Sequence, residues 1–248
     1  MDMERDKKVI IVMPAYYAEK TVEKTFRAIP EGSYDEIILV DDASQDKTVE
    51  VAQNLGIKTI VHEKNKGYGA NQKTCYDNAL KMEGDIVVML HPDFQYDPTL
   101  IPEITKPILE DKADIVYGSR MIDKSLAKKG GMPWWKIFGN GILTGYFNLM
   151  LGTKLTDAAS GYIAYSRKVL ESIPYNLNDD GFCFDEEAII QCAKRKFRMS
   201  EIPIPSRYEN ESSSISFNRS VKYGIKLFWQ IFQYKLQQIG LVKIKKFE

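Results

Sequence analysis

The sequence predicts an α/β protein: a mostly parallel sheet with helices on both faces. Three observations carry this expectation. Apolar runs at 9–13 (VIIVM), 36–40 (EIILV) and 85–90 (DIVVML) lack the period-two alternation of half-solvated strands, as strands buried on both faces do. Between them lie segments of helical length and spacing. Four apolar runs also stop abruptly in polar or Gly/Pro residues, at Pro14-Ala15-Tyr16, Asp41-Asp42, His91-Pro92-Asp93 and Gly118-Ser119-Arg120. In open sheets of this kind, ligands bind beyond the carboxyl ends of the strands.

The elements follow in order. Residues 8–13 read as a strand ended by Pro14, and 19–29 as a helix with Val22, Phe26 and Ile29 on one face. Strand 36–40 precedes helix 46–55, for which Asp46 or Ser44 is a cap. Residues 58–61 form a short strand, 69–82 a helix after a Gly-containing turn, and 85–90 the third long apolar strand. Residues 99–109 read as a helix broken near Pro107, and 115–117 as a strand. Residues 121–131 read as a mobile charged loop and 133–151 as an aromatic-rich helix. A turn at 156–161 leads into a short apolar piece. Then come helix 184–196, strand 199–205, a polar loop 207–218 and a long amphipathic helix 220–241. The expected organisation is a catalytic domain over 1–218 and a basic amphipathic extension over 219–248.

Bulk properties exclude some classes. The 34 basic and 34 acidic residues cancel, which argues against nucleic-acid binding through bulk charge. Three cysteines without CxxC spacing read as reduced. No signal-like segment and no apolar run of membrane-spanning length is visible, so a cytoplasmic location is expected. Residues 219–248 nevertheless carry seven Lys/Arg against one Glu.

The candidate chemistry lies at the strand ends. Asp41 and Asp42 are placed to accept bonds from a nucleobase or ribose. In the 65–71 segment (NKGYGAN), Gly67 and Gly69 at a helix N-terminus suit backbone approach to an anionic ligand, beside Lys66. Asp93 and Gln95 supply oxygen ligands for a hard cation, and His91 a nitrogen suited to softer metals. His91 reads equally as a plain strand-end residue. Phe184-Asp185-Glu186-Glu187 places three acids where a helix dipole favours them, and one can act as a general base. Asp157, in the turn, is a sugar-binding candidate or a turn residue.

The ordered blocks VIIVMPAYYAEKTVEKT, ILVDDASQDKT, NKGYGANQ, HPDFQYDP, VYGSR, TDAASGY, FDEE and RYENESSSISF resemble the family 2 glycosyltransferases, from residue 9 to about residue 223. The nearest branch in pattern is the dolichyl-phosphate mannose synthase-like one. The resemblance implies a GT-A, Rossmann-like fold and inverting transfer of a sugar from a nucleotide diphosphate sugar, with Mg2+ or Mn2+. It places Pro14, Ala15, Tyr16, Glu19, Asp41 and Asp42 around the nucleoside, and Asp93 and Gln95 at the metal. His91 stands where the family has its first Asp. Arg120 would lie near the sugar or phosphate, and Arg207, Ser213 and Ser214 in a loop closing over the diphosphate. Asp185 is the first choice for a base, although a phosphate acceptor needs none.

A lipid-phosphate acceptor is the leading expectation. The aromatic helix and the basic C-terminal helix are both suited to an anionic membrane surface at the cytoplasmic face, or else to packing on each other or on a second copy of the chain. Transfer to a soluble saccharide hydroxyl, with Asp185 as base, is the alternative. A nucleotide-sugar-binding protein with weakened catalysis is the third reading.

Overall fold

The computed structural model describes residues 6–205 and 217–248. The described residues form a seven-stranded sheet: β1 (Val9–Ala15), β2 (Glu36–Asp41), β3 (Lys58–Val61), β4 (Ile86–Met89), β5 (Ile115–Ser119), β6 (Ile163–Ser166) and β7 (Met199–Pro203). Their spatial order is β3-β2-β1-β4-β6-β5-β7. All pairings are parallel except those of β6, which runs antiparallel to both β4 and β5. This is the mostly parallel α/β sheet that the apolar runs predict.

Alternate residues of each central strand face opposite layers. Val9, Ile11, Leu39 and Val88 pack under α1 (Val22–Arg27), α2 (Thr48–Asn54) and α4 (Ile101–Leu109). Ile10, Val12, Ile38 and Val87 pack under α3 (Tyr68–Lys81), α7 (Arg167–Ser172) and α8 (Phe184–Lys194). That second core continues into α6 (Trp134–Leu151) through Leu143 and Phe147, and into α9 (Phe217–Gln238) through Leu227 and Ile231.

Several expectations need correction. β1 does not end at Pro14 but pairs with β2 through Ala15. Val12 O accepts from Leu90 N, so the alternating Pro14 nitrogen points to the same side, past the last residue of β4. Pro14 thus falls at the end of the β1–β4 pairing, where the missing N–H costs at most one terminal ladder bond. α4 runs through Pro107 rather than breaking there. Pro107 lies in the last turn, and the carbonyl it releases belongs to exposed Glu103, which water can satisfy. Residues 121–131 are not simply a loop: Lys124–Lys129 form α5, because Ala127 is buried with Met121 and Met132. α7 and the reversed direction of β6 were not foreseen.

Candidate active site

The loops at the carboxyl edge of the sheet surround a cavity of about 1210 Å3. Because β6 is reversed, the 156–161 turn that precedes it lies at this same edge. α3, α6, α8 and α9 close the opposite wall.

The segments that follow β1 and β2 are stitched to each other. Tyr17 N bonds Ser44 Oγ at 2.9 Å, Ala18 N bonds Thr48 Oγ1 at 2.8 Å, and Glu19 Oε2 accepts Lys47 N at 2.9 Å. Pro14, Ala15, Tyr16 and Glu19 line the cavity, with Tyr16 half exposed at its rim. Asn71, which sequence reading passed over, holds the strand ends together by donating to Ala15 O and Val40 O.

The paired aspartates do different work. Both oxygens of buried Asp41 accept from Ser44, at 2.8 Å from its N and 2.5 Å from its Oγ. Asp41 is not among the cavity-lining residues, whereas Asp42 is. Asp42 accepts Lys66 N at 2.8 Å and Gly67 N at 2.9 Å, and it pairs with His62 Nδ1 at 2.8 Å. His62 in turn reaches Thr74 Oγ1 on α3 at 3.0 Å. Asp42 thus anchors the loop that starts α3.

Both glycines of that loop approach protein backbone closely, and Gly67 also lines the cavity. A Cβ on Gly69 would lie 2.2 Å from Asp179 O, and one on Gly67 2.6 Å from Asp180 O. Gly67 also has φ +100°, which only glycine adopts readily. Lys66 keeps an exposed side chain and lies outside the cavity lining. The residue this arrangement delivers to the cavity is Tyr68.

At the end of β4, Asp93 and Gln95 line the cavity, with Asp93 Oδ1 accepting Gln95 N at 3.0 Å. Phe94 between them sits at φ +58°, a strained conformation for an aromatic residue, under Lys24 Nζ at 4.0 Å. His91 stacks on Tyr68 at 5.5 Å and its Nε2 lies 3.2 Å from Tyr68 Oη. Burial holds its imidazole below the usual histidine range, against the pull of Asp93. Among the described residues no group of three His, Cys, Asp or Glu side chains is arranged to hold a metal ion.

The three acids at the start of α8 divide their roles. Asp185 and Glu186 line the cavity; Glu187 does not. Asp185 Oδ2 accepts from Tyr68 Oη at 2.8 Å, while buried Oδ1 has no bonding partner. Burial pushes its carboxyl up to about 6, although Tyr68 and nearby Gln72 favour the ionised form. Burial and the Asp185 charge push Glu186 further up, and its Oε2 is also unmatched. Glu187 is structural: it accepts from Lys246 Nζ at 2.6 Å, from Asp179 N at 2.7 Å and from Gln230 Nε2.

Arg120 lines the cavity but is held by Asp157. Its Nε and Nη2 reach the two Asp157 oxygens at 2.8 and 3.0 Å, and Asn140 adds a bond at 2.7 Å. Burial would raise the Asp157 carboxyl, but Arg120 and Asn140 outweigh it and hold it below the ordinary range. Asp157 is the buried counter-ion of Arg120 and does not line the cavity. Lys136, not singled out in the sequence, joins the cavity wall from α6; burial and then Arg120 lower its pKa. Arg207, Ser213 and Ser214 lie outside the described residues.

Comparison with known proteins follows the same lines. The UDP-N-acetylglucosamine–dolichyl-phosphate N-acetylglucosaminyltransferase of Methanococcus voltae is 30% identical over 251 residues, covering 94% of this chain and 98% of that protein. The dolichol-phosphate mannosyltransferase of Pyrococcus furiosus is 31% identical over 196 residues, covering 74% of this chain and 53% of that one. The fold matches glucosyl-3-phosphoglycerate synthase of Mycobacterium tuberculosis, solved with Mg2+ and uridine diphosphate. Here the TM-score is 0.71 at 19% identity, over 96% of this chain and 81% of that one. Residues 10–173 match the domain described as Glycosyl transferase family 2, and the chain belongs to that family.

Proposed function

We propose that this glycosyltransferase inverts the anomeric centre of a sugar as it moves it from a nucleoside diphosphate to a polyprenyl or dolichyl phosphate at a membrane surface. One observation carries the acceptor class. α6 and α9 line the cavity through Trp135, Ile142 and Phe228, and both helices turn further apolar side chains to solvent. Trp134 and Leu149 on α6 are 79% and 81% exposed, and Ile225 and Trp229 on α9 are 66% and 56% exposed. Such faces beside basic residues suit an anionic bilayer. No helix among the described residues is long and apolar enough to cross a membrane. The relatives named for dolichyl-phosphate acceptors support the same class.

The nucleoside would lie across the ends of β1 and β2, against Ala15, Tyr16 and Asp42. Asp93 and Gln95 have the hard oxygen donors that suit Mg2+ or Mn2+. Mg2+ usually completes its shell with water and phosphate oxygens, so two protein ligands fit. When bound, the ion neutralises charge on the departing nucleoside diphosphate. Lys136, on the cavity wall beside the Arg120–Asp157 pair, would supply positive charge toward an acceptor phosphate. A phosphate acceptor is already a nucleophile, so Asp185 and Glu186 would orient the sugar from the cavity wall.

A second reading is favoured by Asp185 alone. A carboxyl raised to about 6, with one oxygen unpartnered, suits a general base toward a saccharide hydroxyl. A thermal-shift panel of UDP-, GDP- and dTDP-sugars with and without Mn2+ identifies the donor. Transfer from that donor is then measured to dolichyl phosphate and to free oligosaccharides. Product only with the lipid phosphate supports the first reading; product only with the saccharide overturns it.

A further inference from the structure

We infer that Tyr68 is a positioning residue that fixes Asp185 in the cavity and ties it to His91 at the donor corner. The inference rests on the transferase reading. It requires only that substrate bind at the described cavity, not that Asp185 act as a base.

The hydroxyl of Tyr68 has one proton. It donates that proton to Asp185 Oδ2 at 2.8 Å, and an ionised Asp185 can only accept. The 3.2 Å contact with His91 Nε2 must then run the other way, from an Nε2–H to the Tyr68 oxygen. This sets the His91 tautomer, with the proton on Nε2. It also fixes the Asp185 carboxylate through Oδ2, with Oδ1 buried.

The surroundings hold Tyr68 in place. Its ring lies against His91 at 5.5 Å, nearly coplanar in tilt at 5°, and against Phe182 at 5.2 Å. Gly161 makes the room: a Cβ there would sit 2.9 Å from His91 Nε2 and 3.2 Å from Tyr68 Oη. The backbone on either side is pinned, by Asp42 to Lys66 N and Gly67 N, and by Asp180 O to Gly69 N at 2.8 Å. The titratable groups around Asp185 are Tyr68 and Tyr76 from α3, Tyr117 from β5, Tyr165 from β6 and Glu186 beside it.

The experiment is a double-mutant cycle of Tyr68→Phe and Asp185→Asn, assayed with the donor found in the panel and dolichyl phosphate. Thermal melts of each variant report folding separately. Tyr68→Phe keeps the ring and removes the hydroxyl. It should lower kcat about tenfold or more, the scale of one hydrogen bond to a charged group, with donor KM changed less than about threefold. In the Asp185→Asn background the same change should cost less than about twofold. The acidic limb of the kcat profile should also move to higher pH in Tyr68→Phe, because the lost donor favoured the carboxylate. Ionisation of the acceptor is common to both proteins and cancels in the comparison. Equal costs in both backgrounds, or an unmoved limb, overturn the inference while leaving the transferase reading intact. Absence of transfer by the wild type to any acceptor overturns the transferase reading instead.

Discussion

Replacing Asp157 with Ala should destabilise the fold severely while removing no cavity-lining side chain. The Arg120 side chain is 7% exposed and that of Asp157 is 0%. Asp157 accepts three bonds from Arg120, at 3.1, 2.8 and 3.0 Å, and a fourth from Asn140. Its loss removes the carboxylate that neutralises a buried guanidinium and leaves Arg120 its bond to Ala159 O, a change that costs about 3–5 kcal/mol. For a chain of this size, roughly 2–4 °C of Tm accompanies each kcal/mol, so the melt should fall by about 6–20 °C. Urea denaturation with the m-value held constant measures the difference directly. The pH dependence follows from the lowered carboxyl. A depressed acid stabilises above its unfolded pKa, so the contribution is full at neutral pH and is lost as pH falls through the still lower folded value. Wild type and variant should therefore converge in strong acid. The double variant Arg120→Met, Asp157→Leu should recover much of the loss, because apolar replacement of a buried pair is often neutral. A loss under about 1 kcal/mol in Asp157→Ala, or no recovery in the double variant, refutes the reasoning.

Three other outcomes are expected. Asp93→Ala should retain the melt of the wild type but lose most turnover and the Mn2+-dependent part of the thermal shift; unchanged turnover would remove Asp93 from the metal corner. Asp185→Asn should stabilise the protein by on the order of 2–3 kcal/mol above pH 6, because a carboxyl raised to about 6 penalises the ionised fold; melts at pH 8 should show the gain and melts below pH 4 should not. Trp134→Ser with Phe138→Ser should abolish flotation on anionic vesicles, and flotation equal to wild type would assign membrane contact elsewhere.

The parts of the fold legible in the sequence were those written in local periodicity. Buried parallel strands read as apolar runs, and four strand ends with polar residues located the edge where the cavity lies. The direction of β6 was not legible, since four residues, Ile163–Ser166, pair equally well either way in isolation. The continuity of α4 past Pro107 and the formation of α5 depend on tertiary packing that no window of sequence contains. At the site, residue types pointed to Asp93, Gln95, Arg120 and Asp185, which all line the cavity. They misassigned the purpose of Gly69, whose closeness is to Asp179 backbone. They also missed Tyr68, whose signal was an aromatic residue between two glycines at a helix start. Division of labour among Asp185, Glu186 and Glu187 was equally hidden, because it depends on which face of α8 meets Lys246 and Gln230, more than forty residues further along the chain.

The reversed strand β6 has a consequence for engineering. A strand parallel to its neighbours offers the cavity the loop that follows it, but β6 offers the loop that precedes it. Its far end ties down at the opposite rim, where Ser166 N bonds Asp114 O and Arg167 N bonds Asp85 O. Grafts or insertions just before residue 163 should therefore reshape substrate choice, because residues 157–161 hold Arg120 and make room for His91. Equally long insertions just after residue 166 fall on the remote rim, where they interrupt the Arg167 N–Asp85 O bond and the start of α7 and should cost stability rather than alter substrate choice.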